Sequence, residues 1–187
     1  MAIDKKISRL VTLTGTTDII FDRYVGKEQT SPDQKLYLDA GKVVCLPALN
    51  IISFLTAQNT DSAPKILCGK SAKSIGSAFA ACASISPNLI PFTRNGKPIV
   101  FDRFTNGVDS KSGIRVRYDV ARLPKGIPNE KERPVLGLPW QLTFTLTLLP
   151  NATLSLERVE NVFIDGMAFI GLGSFRKVFG KSAFSWE

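Results

Sequence analysis

Strict alternation of apolar and polar residues in two separate segments constrains the fold most. Residues 140–149 (Trp-Gln-Leu-Thr-Phe-Thr-Leu-Thr-Leu-Leu) place Thr143, Thr145 and Thr147 opposite a row of apolar side chains. Residues 114–122 alternate in the same way, with arginines opposite apolar residues. A period of two residues is that of a β-strand with two different faces. Both segments are therefore predicted to be strands of a sheet.

Turn signals and helical spacing predict the other elements. A hairpin is predicted over 36–46, and Asn95-Gly96 is a strong signal for a second hairpin. Apolar residues recur at helical intervals in three segments, which predicts helices after Pro47, over 71–83 and over 159–170. The order of elements indicates a single α+β domain over residues 1–187, with a mainly antiparallel sheet and helices on one face.

A Pro-rich segment interrupts this pattern. Residues 123–139 carry four prolines and the charge cluster Glu130-Lys-Glu-Arg133. Prolines and clustered charges are typical of loops at the surface. The segment is predicted to project from the domain as a loop without a packed interior.

The charge balance indicates the class of partner. The chain has 24 Lys and Arg against 16 Asp and Glu, a formal net charge of +8. Such an excess attracts polyanions and speeds encounter with them, so nucleic acid is the first expected partner and an anionic membrane the second. No apolar run is long enough to span a bilayer, and the N-terminal residues do not resemble a signal peptide. We expect a soluble cytoplasmic protein with no membrane partner.

The absence of histidine excludes several kinds of catalytic site. Ser-His-Asp and Cys-His nucleophiles, histidine bases and histidine zinc ligands are all impossible within this chain. The three cysteines lack the C-x-x-C spacing of zinc ribbons and are expected to be reduced thiols. The carboxylates that a metal nuclease would need form no spaced acidic motif; these are Asp102, Asp109, Asp119 and Asp165. We expect no metal, no cofactor and no enzymatic activity.

Glycines and cations are interleaved near the C-terminus. Gly171-Leu-Gly173 is followed by Arg176, Lys177 and Lys181. Glycine allows a close approach of the backbone to another backbone or to a ligand, and the cations supply charge at that approach. The segment is therefore a candidate phosphate-binding loop. The alternative is that its glycines serve only tight turns.

Further candidate contacts lie elsewhere in the chain. Arg115 and Arg117 share one face of the predicted strand 114–122, where they would either bind a polyanion or protect a sheet edge from aggregation. Aromatic side chains near cations offer stacking faces for bases. The remaining candidates are Arg94 and Lys97 beside the Asn-Gly turn, Arg23 and Tyr24 after the first strand, and Phe175 beside the glycines.

Two segments resemble a known family. Leu46-Pro-Ala-Leu-Asn-Ile-Ile-Ser-Phe-Leu55 is similar to the start of the first helix in the RAMP superfamily, the RRM-like subunits that form the backbone of CRISPR effector complexes. Residues 169–181 resemble the C-terminal glycine-rich loop of that family. The resemblance implies an RRM-like, ferredoxin-like fold that holds a nucleic-acid strand. The family's histidine nuclease residues have no counterpart here. The same patterns also resemble uncharacterised bacteriophage proteins.

These observations favour one function over another. The first hypothesis is a non-catalytic protein that binds single-stranded DNA or RNA and forms a homo-oligomer or filament along the strand. The alternative is a structural or interaction protein, such as a virion component or an inhibitor of a host complex, whose basic surface meets an acidic protein. The predicted projecting loop over 123–139 favours this alternative.

Overall fold

The structure, a computed structural model, describes residues 6–24, 26, 31–56, 62–122, 128–176 and 178–187. Its strands are β1 (Ile7–Gly15), β2 (Ile19–Ile20), β3 (Tyr37–Leu38), β4 (Val44–Pro47), β5 (Ala83–Ser86), β6 (Leu89–Arg94), β7 (Lys97–Pro98), β8 (Arg115–Arg122), β9 (Pro128–Leu136), β10 (Gln141–Leu148) and β11 (Ser182–Trp186). Its helices are α1 (Ala48–Leu55), α2 (Ala63–Leu67), α3 (Ala72–Cys82) and α4 (Leu156–Phe169).

The main sheet is antiparallel throughout and has the order β11-β1-β10-β6-β4-β3. β5 and β6 pair with opposite ends of β10, so they act as one strand interrupted at Pro87. With β5 and β6 counted together, the four strands of a β-α-β-β-α-β unit are β1, β5/β6, β10 and β11. They lie in the sheet in the order fourth, first, third, second. This is the ferredoxin-like order. The prediction of an α+β fold with a mainly antiparallel sheet is confirmed.

The helices form a layer on one face of this sheet. α1, α2 and α3 contact one another, and α4 packs against both α2 and β11. Phe163 of α4 lies near Phe144 of β10, with ring centroids 6.5 Å apart, and stacks on Phe184 of β11 at 5.0 Å. The apolar row of β10 is buried beneath the helices, as its alternation predicts. No helix in the described part of the chain is long and apolar enough to cross a membrane.

The opposite face of the main sheet is lined by hydroxyl groups. Thr143, Thr145 and Thr147 of β10 point to this side, next to Ser8 and Thr12 of β1. The Ser8 and Thr147 hydroxyls share a hydrogen bond of 3.0 Å across the strands. Thr143 and Ser8 are exposed. Cross-strand hydroxyl pairs of this kind stabilise a solvated sheet face.

A second sheet corrects the prediction of a Pro-rich loop. Residues 128–136 form β9, which pairs with β8 over its whole length and with β2 at its end, in the order β2-β9-β8. Val135 and Leu136 of β9 are buried, so the end of β9 that pairs with β2 packs on the domain, while Glu130 and Glu132 are exposed. Residues 123–127 lie outside the described residues. The prediction of a loop is therefore wrong for residues 128–136, and the prediction that it lacks packing is wrong for residues 133–136.

The other local predictions are confirmed. The hairpin over 36–46 is formed by β3 and β4. Asn95 and Gly96 connect β6 to β7 with φ angles of 51° and 75°, the left-handed pair that a two-residue hairpin turn requires. α1, α3 and α4 match the three predicted helices, and α1 begins directly after Pro47. The short α2 is an additional helix that the sequence did not predict.

Gly166 allows α4 to pack closely on its neighbours. A Cβ atom at this position would lie 2.4 Å from Cζ of Phe54 and 2.9 Å from Cβ of Ala63. Gly166→Ala would raise helix propensity by about 1 kcal/mol, but overpacking a core costs about 1–3 kcal/mol. We expect the cost of overpacking to exceed the gain in helix propensity. The neighbouring atoms belong to the Phe54 ring of α1 and to Cβ of Ala63 in α2, and neither can rotate away. A thermal melt should show a lower Tm than the wild type.

The exposed Ser77→Ala substitution in α3 is the matched control for Gly166→Ala. It gains helix propensity without meeting a packed neighbour, since Ser77 is exposed. Its Tm should be unchanged or slightly higher. A rise in Tm for Gly166→Ala equal to that of the control would show that α4 is not closely packed at Gly166.

Candidate functional site

The glycine loop (residues 170–181) connects α4 to β11 and runs along the edge of the second sheet. Ser174 donates its backbone N–H to the Ile20 carbonyl of β2 at 2.9 Å. Gly180 donates to the Asp18 carbonyl at 2.7 Å, and Leu172 donates to the Gly180 carbonyl at 2.9 Å. These bonds fix the loop next to β2 and close it on itself.

The glycines of this loop are required by contacts within the protein. Gly171 and Gly173 have φ angles of 78° and 77°, where a side chain is strained. A Cβ at Gly171 would lie 2.7 Å from the Gly180 carbonyl oxygen, and one at Gly173 would lie 2.6 Å from the Ile20 carbonyl oxygen. The close approach that the sequence predicts is thus made to the chain's own backbone. Contact of these glycines with a ligand stays a prediction.

Two phenylalanines of the glycine loop lie over two arginines of the second sheet. Cζ of Arg133 is 4.7 Å from the ring centroid of Phe175, and Cζ of Arg117 is 5.1 Å from that of Phe179. Arg117 and Arg133 are directly opposite each other on β8 and β9. Asp119 lies between them and accepts a hydrogen bond from each, at 2.8 Å and 3.2 Å. We call these five residues the Arg–Phe cluster.

The Arg–Phe cluster brings together two like charges that would otherwise repel. Arginines directly opposite on neighbouring strands are destabilising, and Asp119 neutralises one of the two charges. Guanidinium groups over aromatic faces are favourable, and more so where water is excluded. The side chain of Arg133 is only 4% exposed, whereas that of Arg117 is 45% exposed. The cluster therefore has a buried half and a half open to solvent.

Asp22 also binds Arg133 and extends this network to two more cations. Its carboxylate lies 2.9 Å from Nε of Arg133, 3.5 Å from Nζ of Lys131 and 3.8 Å from Nζ of Lys35. Burial lowers the pKa of Lys35, although Asp22 opposes this effect. The Lys35 ammonium also donates to the Glu132 carbonyl at 2.6 Å.

The face of the second sheet that meets the glycine loop has an excess of positive charge, while Glu130 and Glu132 of β9 lie on the other face. Arg115 of β8 pairs with Asp18 at 2.6 Å, and its side chain is 54% exposed. Five cations thus share three carboxylates within this one region. The cations are Lys35, Arg115, Arg117, Lys131 and Arg133, and the carboxylates are Asp18, Asp22 and Asp119.

The predicted cations of the glycine loop have different surroundings. Nε of Arg176 donates to the Gly173 carbonyl at 3.1 Å, while its Nη1 is buried without a hydrogen-bond partner among the described residues. Lys181 is half-buried and its backbone N–H donates to Oγ1 of Thr17 at 2.9 Å. Lys177 lies outside the described residues. Within the described part of the chain, neither Arg176 nor Lys181 forms an ion pair.

Arg94, a candidate contact beside the hairpin turn, is bound to the chain's own backbone, and its contact with a strand stays a prediction. Its guanidinium donates to the carbonyls of Ser112, Gly137 and Pro139 at 2.9–3.0 Å. These bonds tie β6 to the connection between β9 and β10 and to the segment that precedes β8. Arg94 thus has a structural role, whereas its neighbour Lys97 is exposed.

Arg23 and Tyr24 follow directly after Asp22. Cζ of Arg23 lies 4.8 Å from the ring centroid of Tyr37, and Tyr24 is largely exposed. Neither residue is part of the Arg–Phe cluster. Their contact with a strand stays a prediction.

The buried carboxylate and thiol groups have structural surroundings. Burial alone would raise the pKa of Asp109, but hydrogen bonds from the Ser112 hydroxyl and from the backbone of Ser112, Asp102 and Lys111 outweigh it and lower the pKa. Burial raises the pKa of the Cys45 thiol to about 11, so this thiol stays protonated at neutral pH. In the described ranges, no three His, Cys, Asp or Glu side chains converge as a metal site would require.

Comparison with known proteins supports the fold. No protein-family model matches the chain, and no curated protein matches it in sequence. A similar structure is a chain in the cryo-EM structure of the Type III-B Cmr-beta bound to cognate target RNA, with a TM-score of 0.53 and 14% identity. The match covers 98% of this chain and 59% of that one. At this identity the likeness concerns the fold alone, and it agrees with the predicted RAMP-type, ferredoxin-like architecture.

Proposed function

We propose that this protein binds single-stranded nucleic acid without cleaving it and that copies of it assemble side by side along the strand. One observation carries the proposal: the positive excess on one face of the second sheet lies directly against the glycine loop, which displays a half-exposed phenylalanine. A strand offers both the phosphates and the bases that such a surface would contact. The net charge of +8 supports it, and the similar Cmr-beta structure is bound to RNA.

Arg115 and Arg117 are the cations best placed to meet phosphates. Both side chains are about half exposed on β8. Exposed ion pairs contribute little stability, so a phosphate can replace or join a carboxylate partner at small cost. Lys181 and Arg176 lie in the adjoining glycine loop and would extend the same track.

Salt dependence tests the proposal. If the strand neutralises about four cations, the affinity for a fluorescein-labelled oligonucleotide should fall about fifty-fold between about 50 and 200 mM salt. Fluorescence anisotropy with single-stranded RNA and DNA of equal length measures this slope. Mass photometry of the same mixtures should show more copies per strand as the strand is lengthened. An affinity that does not change with salt would contradict the proposal.

A charge-matched pair of variants locates the binding surface. The Arg115→Gln/Arg117→Gln double variant should weaken binding about tenfold and reduce the salt slope, because each lost phosphate contact removes about 0.7 from it. Lys70→Gln/Lys73→Gln is the control, since it removes the same charge from exposed positions at and before α3. Equal losses in the two double variants would show that only net charge matters.

A further inference from the structure

We propose that the ring of Phe175 is a fixed stacking platform for one unpaired nucleobase of the bound strand. This inference rests on the proposed function and adds a specific contact to it. Phe175 lies at the outer side of the glycine loop with 49% of its surface exposed. The guanidinium of Arg133 covers one face of the ring at 4.7 Å. The exposed half lies away from this guanidinium, and it is the part that a base would contact.

The support behind the ring is unusually rigid. Arg133 is 4% exposed, and two carboxylates hold it at fixed positions: Asp22 accepts from Nε at 2.9 Å and Asp119 from Nη1 at 3.2 Å. A buried guanidinium that is bonded to two carboxylates has little freedom to move. The ring that lies over it is accordingly oriented before any ligand arrives, which reduces the entropy lost on binding.

The backbone of Phe175 is an independent indication of a ligand contact. Its φ angle is 52°, in the left-handed region that non-glycine residues rarely adopt. Among the described residues of the loop, the other positive φ angles belong to glycines, which are Gly171, Gly173 and Gly180. A strained backbone that bears a large, half-exposed apolar ring is not explained by burial in a core. Strain of this kind tends to be retained where a functional site needs it.

An unpaired nucleobase is the ligand that best matches these features. Every base has a flat π-face, and in a single strand that face is available for stacking on an aromatic ring. Arg117 lies in the same cluster and Arg115 two residues before it on β8, so that cations accompany the ring at positions suited to the strand's phosphates. Bases within a duplex are already stacked on one another. The platform therefore predicts preference for single strands over duplexes.

Binding assays with two phenylalanine variants test this inference. Phe175→Ala should weaken binding to a single-stranded oligonucleotide about tenfold. Phe169→Ala is the control, because Phe169 is 68% exposed at the end of α4 and no arginine in the described part of the chain lies over its ring. Its affinity should remain near that of the wild type. Equal affinities of the wild type and Phe175→Ala would overturn the inference while leaving the proposed function intact.

A tryptophan variant keeps the test valid if Phe175→Ala does not fold. In Phe175→Trp, a base-bearing strand should quench the new fluorescence, whereas an abasic strand of equal length and charge should not. The wild type should bind the base-bearing strand about tenfold more tightly than the abasic one. Equal affinities for these strands, without quenching, would contradict the platform. Failure of the wild type to bind any strand at low salt would instead contradict the proposed function.

Discussion

Gly180→Ala is expected to lower the free energy of unfolding by about 3 kcal/mol, since it combines backbone strain with a severe overlap. The φ angle of Gly180 is 73°, and a Cβ there would lie 1.9 Å from the Leu172 carbonyl oxygen. That oxygen belongs to backbone and cannot rotate aside. A movement of the backbone that relieves the overlap would break the hydrogen bonds that tie Gly180 to Asp18 and Leu172. A thermal melt should show a Tm lower by roughly 6–12 °C.

Gly96→Ala separates the effect of backbone strain from the effect of the atomic overlap. Gly96 has nearly the same φ angle, 75°, but a Cβ there would meet nothing within 4 Å. We expect a loss of about 1 kcal/mol from strain alone. If both substitutions cost the same, the close approach inside the glycine loop would contribute nothing to stability.

Arg133→Ala is expected to cost about 3 kcal/mol of unfolding free energy, because it removes the nearest partner of the partly buried Asp22 carboxylate and one of the two arginine partners of Asp119. Asp22 and Asp119 have side chains only 21% and 14% exposed, and the ring of Phe175 loses its support. Urea denaturation measures the loss. The same variant should weaken nucleic-acid binding, since the ring would no longer be held in place.

Arg115→Ala provides the contrast to Arg133→Ala. The Arg115–Asp18 pair is shorter, at 2.6 Å against 2.9 Å for Arg133–Asp22, but the Arg115 side chain is half exposed. Exposed ion pairs contribute about 1 kcal/mol or less. We therefore expect the loss of stability to be larger for the more buried arginine, Arg133, than for the arginine with the shorter ion pair, Arg115. A larger loss for Arg115→Ala would contradict the assignment of Arg133 as the central residue of the network.

The elements that the sequence predicted well are those whose signal is local. β10 alternates apolar and hydroxyl residues, so its period and its buried face follow directly from the sequence. The Asn95-Gly96 turn needs two left-handed residues, and few residue pairs provide them at low cost. α4 was predicted although Gly166 weakens its propensity, and the structure supplies the reason in the contact with Phe54. In each case the tertiary structure agrees with the local preference.

β9 was not predicted because it alternates in charge and not in hydrophobicity. Lys131 and Arg133 share one face of the strand, and Glu130 and Glu132 share the other. A search for apolar periodicity does not register this pattern, and Pro128 and Pro134 favoured a loop. The apolar alternation of β8 does not mark a buried face either, because Tyr118 and Val120 on its apolar face are exposed. The alternation of side chains along a strand shows which of them share a face, but not which face is buried.

The Arg–Phe cluster depends on contacts between segments far apart in the sequence. Phe175 and Arg117 were identified as candidates from their types and neighbours. Arg133, the most buried member, was part of a supposed loop, and the role of Asp119 between two arginines requires the β8–β9 register. The charge alternation of residues 130–133 was the signal that could have indicated a strand. The sequence therefore predicted the glycine loop but not the surface against which it lies.

Photo-crosslinking is the most direct test of where a strand binds. A single-stranded RNA that carries 4-thiouridine is bound to the full chain, irradiated and digested, and mass spectrometry identifies the linked peptides. The account predicts crosslinks in the glycine loop, centred on Phe175, and in β8 near Arg117. Crosslinks confined to the hydroxyl-lined face of the main sheet, on β1 and β10, would contradict it.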